Sequence, residues 1–99
     1  MAKTRPSPEW AAFARDLGTS IQQQRIARRL SQEQVAYAAG LSRYTFQKFE
    51  KGESMPGAPS NPSLHNIMAI AQVLDVDLND LLPRKRPDLR AGRPCPGRS

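Results

Sequence analysis

The sequence predicts an all-α fold of five helices, and three observations lead to this prediction. Apolar residues recur at spacings of three and four along most of residues 8–82, as they do on one face of a helix. Ser31 and Ser42, which can cap helices, stand before two of these stretches. Gly40 lies between them and permits a sharp turn, because glycine adopts positive φ without strain. A chain of 99 residues suffices for one domain with a modest core.

The first helix is predicted to span Pro8–Arg29. Ser7 can cap it, with a proline at its first position and Glu9 near the positive end of the helix dipole. The apolar stripe of this helix consists of Trp10, Phe13, Leu17 and Ile21. Gly18 lowers helix propensity by roughly 1 kcal/mol relative to alanine and marks a kink or a break into two helices. The aromatic start can pack on its own domain or on a second subunit, and the first is favoured.

Residues 31–51 are the most informative stretch. Ser31 and Gln34 have the spacing of a capping box, in which each side chain accepts a hydrogen bond from the backbone N–H of the other residue. Beyond Gly40, Ser42 can cap a second short helix whose apolar residues lie on one side. The other side carries Arg43, Tyr44, Gln47, Lys48 and Lys51. This pattern predicts a helix-turn-helix that presents its second helix to DNA.

After Gly52 the sequence predicts a loop and two further helices. Asn61 is expected to cap the fourth helix, with Pro62 as its first residue. The predicted core face of that helix consists of Leu64, Ile67, Met68, Ala71 and Leu74. Asp77 is expected to cap a last short helix, Leu78–Leu82, which Pro83 terminates.

Positive charge is concentrated at the two ends of the chain. Residues 6–83 hold seven Lys/Arg and eight Asp/Glu, a balance of −1, whereas the residues before them carry +2 and residues 84–99 carry +5. We therefore divide the chain into a mobile arm (1–7), a helical domain (8–83) and a basic tail (84–99) that is disordered when free. Such ends suit a phosphate backbone, and the alternative is that they only confer solubility.

The composition argues against several classes of function. With one histidine and one cysteine, Cys95 in the tail, the sequence predicts no catalytic constellation, no metal site, no cofactor and no internal disulfide. We therefore expect no enzymatic activity, and we expect His65 to face solvent. The chain lacks an apolar run near the roughly 20 residues of a membrane span, and its start lacks a signal-peptide core. These features predict a soluble, cytoplasmic protein.

The helix-turn-helix resembles that of phage repressors and Cro, the XRE or lambda-repressor-like family. The matching features are Arg25, Leu30-Ser31-Gln32, Ala36, Gly40-Leu41-Ser42, Glu50-x-Gly52, Asn61-Pro62-Ser63-Leu64 and the ending Val76-Asp77-Leu78-x-x-Leu81-Leu82. The resemblance runs from about Leu17 to Leu82, so the aromatic start of the first helix is an N-terminal extension. It implies a five-helix lambda-repressor-like domain. It also implies a homodimer that binds a paired operator in double-stranded DNA as a transcriptional regulator, with a repressor as the expected role.

The resemblance also assigns roles to individual residues. Arg25 and Glu50 are expected to form an ion pair that ties the first helix to the end of the recognition helix, a structural role like that of Gly40. Gln32 aligns with a glutamine that contacts phosphate in relatives. Since the N-terminal end of a recognition helix enters the major groove, the expected DNA contacts include this end. The full set is Gln32, Ser42, Arg43, Tyr44, Gln47, Lys48 and Lys51.

A second class of function remains open on the same fold. An antitoxin or protein-interaction module would hold a partner protein such as a toxin or a sigma-like factor, and the aromatic extension and the tail would support that interpretation. Against it, the recognition helix exposes residue types that read DNA, such as Arg43 and Gln47, rather than an apolar patch. DNA binding is therefore the favoured hypothesis.

Overall fold

The computed structural model describes residues 8–90, which form five helices and a small antiparallel sheet. The helices are α1 (Pro8–Ala27), α2 (Gln32–Ala38), α3 (Arg43–Lys51), α4 (Leu64–Leu74) and α5 (Leu78–Leu81). Strands β1 (Glu53–Met55) and β2 (Ala58–Pro59) pair between α3 and α4. The five predicted helices are confirmed, but residues 53–59 form a hairpin rather than the predicted loop. The predicted arm (1–7) and residues 91–99 of the predicted tail lie outside the described residues.

The hydrophobic core is built from residues of all five helices. Its fully buried large side chains are Ile21, Val35, Phe46, Ile70, Leu74 and Leu81. A hydrogen bond from Ser20 Oγ to the Leu81 carbonyl oxygen, 2.7 Å long, joins α1 to α5. The helix-turn-helix therefore rests on a core that α1 and α4 complete.

Gly18 lies where the backbone of α1 is in close contact with that of α3. A Cβ atom at this position would lie 2.3 Å from the Glu50 carbonyl oxygen and 2.6 Å from that of Phe49. The helix is continuous across Gly18, so the predicted break into two helices is wrong. The glycine is explained by the approach of α3 instead. The helix ends at Ala27, two residues before the predicted end, and Arg29 adopts a left-handed conformation with φ of 58°.

The aromatic residues at the start of α1 pack on their own domain, as favoured above. Trp10 and Phe13 stack with ring centroids 5.4 Å apart, and Phe13 is buried. The indole N–H of Trp10 donates to the Ser60 carbonyl oxygen at 3.2 Å. The extension thus fixes the backbone that follows β2.

The local signals of the helix-turn-helix are confirmed. Gln34 N–H donates to Ser31 Oγ at 3.0 Å, and Ser31 N–H donates to Gln34 Oε1 at 2.8 Å, which completes the capping box. Gly40 adopts φ of 77° in the turn. Ser42 caps α3 by accepting a hydrogen bond from Thr45 N–H at 3.0 Å.

Of two predictions for α4, the cap is wrong and the core face is confirmed in part. Ser63, not Asn61, caps the helix and accepts a hydrogen bond from Asn66 N–H at 3.1 Å. Ile67, Ala71 and Leu74 are buried as predicted. Leu64 and Met68 are instead 67% and 43% exposed, and Ile70 is buried. Residues 64 and 68 lie together at one side of the buried stripe. Asp77 stands at the cap position of α5 as predicted, but its side chain makes no capping hydrogen bond. The helix ends at Leu81, one residue early.

The described part of the basic tail, residues 84–90, contains neither helix nor strand. The Arg90 guanidinium hydrogen-bonds both carboxylate oxygens of Asp88, at 2.9 and 2.8 Å. These hydrogen bonds lower the pKa of Asp88 to about 2. The pair is exposed and contributes little to stability.

No helix within residues 8–90 combines the length and the apolar character that crossing a membrane requires.

We predict that Gly18→Ala lowers the free energy of unfolding by about 1–3 kcal/mol, because overpacking at the α1–α3 contact outweighs the gain in helix propensity. Urea unfolding measures the change. Thr19→Ala is the matched control, since Thr19 is the next residue of α1 and is exposed. The control should be as stable as the wild type or slightly more stable. A Gly18→Ala variant that matches or exceeds the wild type in stability would contradict the role of this contact.

Candidate nucleic-acid interface

The surface of α3 is divided into a buried and an exposed side. Phe46, Phe49 and Glu50 are buried, with Phe46 fully inaccessible. The opposite side carries five of the predicted DNA-contact residues, exposed or partly exposed: Arg43, Tyr44, Gln47, Lys48 and Lys51. With nine residues the helix is about 13 Å long, and three cations lie along it. The sequence therefore folds into a ridge that is polar and basic on its outer side.

Ser42 differs from the other predicted contacts because its side chain is engaged within the first turn of α3. Its hydroxyl accepts from Thr45 N–H and donates to Thr45 Oγ1, both at 3.0 Å. The serine thus supports the start of the helix, and the residue that projects beyond it is Arg43.

Tyr44 and Lys48 form a pair one helical turn apart. The Lys48 ammonium lies over the Tyr44 ring, 4.3 Å from its centroid. A cation–π contact of this kind contributes about 0.5–1 kcal/mol at exposed sites. It draws the lysine charge towards the N-terminal half of α3, beside Tyr44, whose side chain is exposed.

A largely buried ion pair holds α3 against α1. Arg25 Nε donates to Glu50 Oε2 at 2.6 Å, and a second guanidinium nitrogen donates to Oε1 at 3.2 Å, so the pair is bidentate. The side chains are 13% and 3% exposed, respectively. The remaining terminal nitrogen of Arg25 donates to the Leu30 carbonyl oxygen at 2.9 Å. One guanidinium therefore connects α1, the start of α2 and the end of α3.

Gln32 joins the same hydrogen-bond network. Its amide nitrogen donates to Glu50 Oε1 at 2.8 Å. An amide group has two N–H donors, so one of them can still bind another acceptor. Gln32 and Arg43 also line one shallow depression with Arg25, Ser31 and Glu33. The structure thus brings Gln32 close to the front of α3, while the predicted phosphate contact stays a prediction.

Sequence reasoning missed the hairpin beside α3. The exposed side of α3 and the hairpin form the two walls of a cleft. The wall of α3 is formed by Tyr44, Gln47, Lys48 and Lys51, and the wall of the hairpin by residues 53–56. The signal in the sequence was Pro56-Gly57, because proline followed by glycine favours a tight turn. Gly57 adopts φ of 82° there, as the second central residue of a type II turn requires.

Within residues 8–90 there is no group of three or more His, Cys, Asp or Glu side chains that could hold a metal ion.

Comparison with known proteins identifies a family and a similar solved structure. The family described as the Cro/C1-type HTH DNA-binding domain matches residues 20–86. The crystal structure of the restriction-modification controller protein C.AhdI from Aeromonas hydrophila is similar, with 32% sequence identity and a TM-score of 0.64. The alignment covers 72% of this chain and 98% of the chain of C.AhdI. No curated protein sequence matches the chain.

We predict that Arg25→Ala destabilises the protein by about 3–5 kcal/mol, because it leaves the buried Glu50 carboxylate without its cation. Arg43→Ala is the control, since it removes an exposed arginine and should change stability by no more than about 0.5 kcal/mol. Thermal and urea unfolding of the two variants measure the difference. Equal shifts of the melting temperature would contradict the structural assignment of the Arg25–Glu50 pair.

Proposed function

Because the chain belongs to the Cro/C1-type HTH DNA-binding family, we propose that it is a transcriptional regulator that binds specific sequences of double-stranded DNA. The observation that carries this proposal is the polar and basic outer side of α3, whose inner side is fixed in the core. A helix presented in this way enters the major groove with its N-terminal residues first. Arg43 and Tyr44 then meet base edges.

The remaining predicted contacts divide between bases and backbone. Gln47 lies on the same side as Arg43, one turn later, and can bind a base edge through its amide. Lys48 and Lys51 follow towards the C-terminal end of α3, where an ammonium binds a phosphate as a point charge. Gln32 and the free backbone N–H groups at the start of α2 bind a phosphate on the other side of Arg43.

We propose that the regulator is a repressor, which acts by occupying DNA that the transcription machinery needs. The similarity to a protein described as a restriction-modification controller supports a regulatory role. We propose that the protein acts in the cytoplasm, together with the DNA that it binds. Arg84, Lys85 and Arg86 at the start of the basic tail add attraction to phosphates that does not depend on sequence.

We further propose that the protein binds as a homodimer. One recognition helix contacts too few base pairs for strong selectivity, whereas two related by a two-fold axis read two half-sites. The aromatic start of α1 and the helices α4 and α5 together line one apolar groove, formed by Trp10, Phe13, Leu17, Pro62, Leu64, Ile67, Leu78 and Leu82. We assign this groove to a second copy of the chain, since Leu64 and Met68 expose apolar surface on α4 beside it.

A protein-interaction module is the second candidate function, and the same groove is the observation that favours it. A partner protein would cover the groove without engaging α3. A partner bound in the groove would not explain the exposed polar and basic residues of α3. We therefore favour DNA binding over a protein-interaction module.

We predict that Arg43→Ala weakens binding to the preferred site by about 1–3 kcal/mol and relaxes the preference for one guanine in each half-site. The reason is that O6 and N7 of guanine accept both arms of an arginine side chain. Selection from randomised duplex DNA with wild type and variant measures both effects.

Lys51→Ala is the matched control for Arg43→Ala. It removes one charge from the other end of α3 and should weaken binding to all sequences alike, lowering the slope of log K against log salt by about 0.9. If Arg43→Ala keeps the sequence preference of the wild type and lowers the salt slope as much as Lys51→Ala does, Arg43 contacts a phosphate and does not read bases.

We predict that Leu64→Glu converts the dimer into a monomer, because it places a carboxylate in the apolar groove. Sedimentation with and without operator DNA measures the state of assembly. Ile26→Glu is the control, since Ile26 is also exposed but does not line the groove. A wild type that stays monomeric on DNA would contradict the homodimer, and a dimer that survives Leu64→Glu would contradict this interface.

A further inference from the structure

The hairpin is held against the body of the protein at its base. Ser60 N–H donates to the Gly52 carbonyl oxygen at 2.9 Å, and the Ser60 carbonyl oxygen accepts from Trp10. Ser60 is only 2% exposed. Gly52 lies so close to α1 that a Cβ there would be 2.7 Å from Arg15 Cα. The two strands therefore start from a fixed position at the end of α3.

From this base the hairpin runs back along the outer side of α3. Pro56 at its tip and Tyr44 in the first turn of α3 line the same cleft. Residues 44–51 extend about 10 Å along the helix at 1.5 Å per residue. Three residues of strand cover a similar distance at about 3.3 Å each. The tip thus reaches the level of the residues that lead into the major groove.

The chemistry of the tip differs from that of α3. Residues 53–61 contain no lysine or arginine, and Glu53 is their only charged residue. Met55, beside the turn, is 64% exposed. A contact between this tip and DNA therefore involves apolar groups rather than phosphate charge.

We propose that the hairpin is a second DNA-contacting element, in which Met55 packs on an apolar group of DNA beside the footprint of α3. This inference rests on the proposed function, because DNA that receives the outer side of α3 must pass beside the hairpin that borders it. The apolar groups available are the C5-methyl of thymine, which projects into the major groove, and the face of a deoxyribose. A thymine contact extends sequence reading beyond the bases next to α3.

The test uses the full-length protein and the duplex that it selects from randomised DNA. Met55→Ala should bind this duplex about 3- to 10-fold more weakly, as expected for loss of part of a buried methionine side chain. The slope of log K against log salt should not change, because no phosphate contact is lost. Ile26→Ala removes another exposed apolar side chain, remote from the cleft, and should bind like wild type.

Replacement of single thymines by deoxyuridine distinguishes the two apolar groups. If Met55 contacts a thymine methyl, one replacement in each half-site weakens wild-type binding about fourfold, the effect of one buried methyl group, and leaves Met55→Ala unaffected. If it contacts a deoxyribose, no replacement has this effect but Met55→Ala still binds more weakly than Ile26→Ala.

The introduction of a negative charge makes the test independent of small packing effects. Met55→Glu places a carboxylate against the DNA and should weaken binding on the order of tenfold more than Gln23→Glu, which adds the same charge on an exposed position of α1.

The inference would be overturned if Met55→Ala bound the selected duplex as tightly as Ile26→Ala or more tightly. The proposed function would still stand in that case, provided that the wild-type protein selects and binds a specific DNA sequence. A wild-type protein that selects no DNA sequence would overturn both.

Discussion

The position of α3, the helix that we propose reads DNA, depends on the contact between α1 and α3. Gly18 lets the two backbones approach closely, and the Arg25–Glu50 ion pair fixes them at the end of α3. The pair is useful because it is bidentate and because Arg25 and Gln32 satisfy the buried carboxylate with three hydrogen bonds. Loss of this contact would remove the restraint that α1 places on α3, so the outer side of α3 would be oriented less firmly.

The same contact extends to the hairpin. Gly52 ends α3 in a left-handed conformation and lies against the backbone of Arg15, so α1 supports both the helix and the strands that follow it. Trp10 adds a hydrogen bond to the segment after β2. The aromatic extension of α1, which lies outside the residues matched by the family, thus supports the base of the hairpin. Both α3 and the hairpin beside it are therefore held in place by α1.

Local signals in the sequence were sufficient for the helix-turn-helix. The capping box at Ser31, the turn at Gly40 and the apolar side of α3 depend on residues close together in the chain. The features that were missed depend on distant contacts. Gly18 has its reason in the backbone of Glu50, and the exposure of Leu64 depends on what covers α4. The cap of α4 could not be decided because Asn61 and Ser63 are both good caps, and only the packed helix selects one of them.

In the proposed complex, DNA lies on the outer side of α3, between Gln32 and the hairpin. An NMR titration of the full chain with its selected duplex tests this arrangement, since each backbone amide reports on its own surroundings. The largest chemical-shift changes are expected at residues 42–48, at Gln32 and at the hairpin, with α4 changing only where a second copy binds. Large changes on α4 and α5 together with an unchanged α3 would rule out this arrangement.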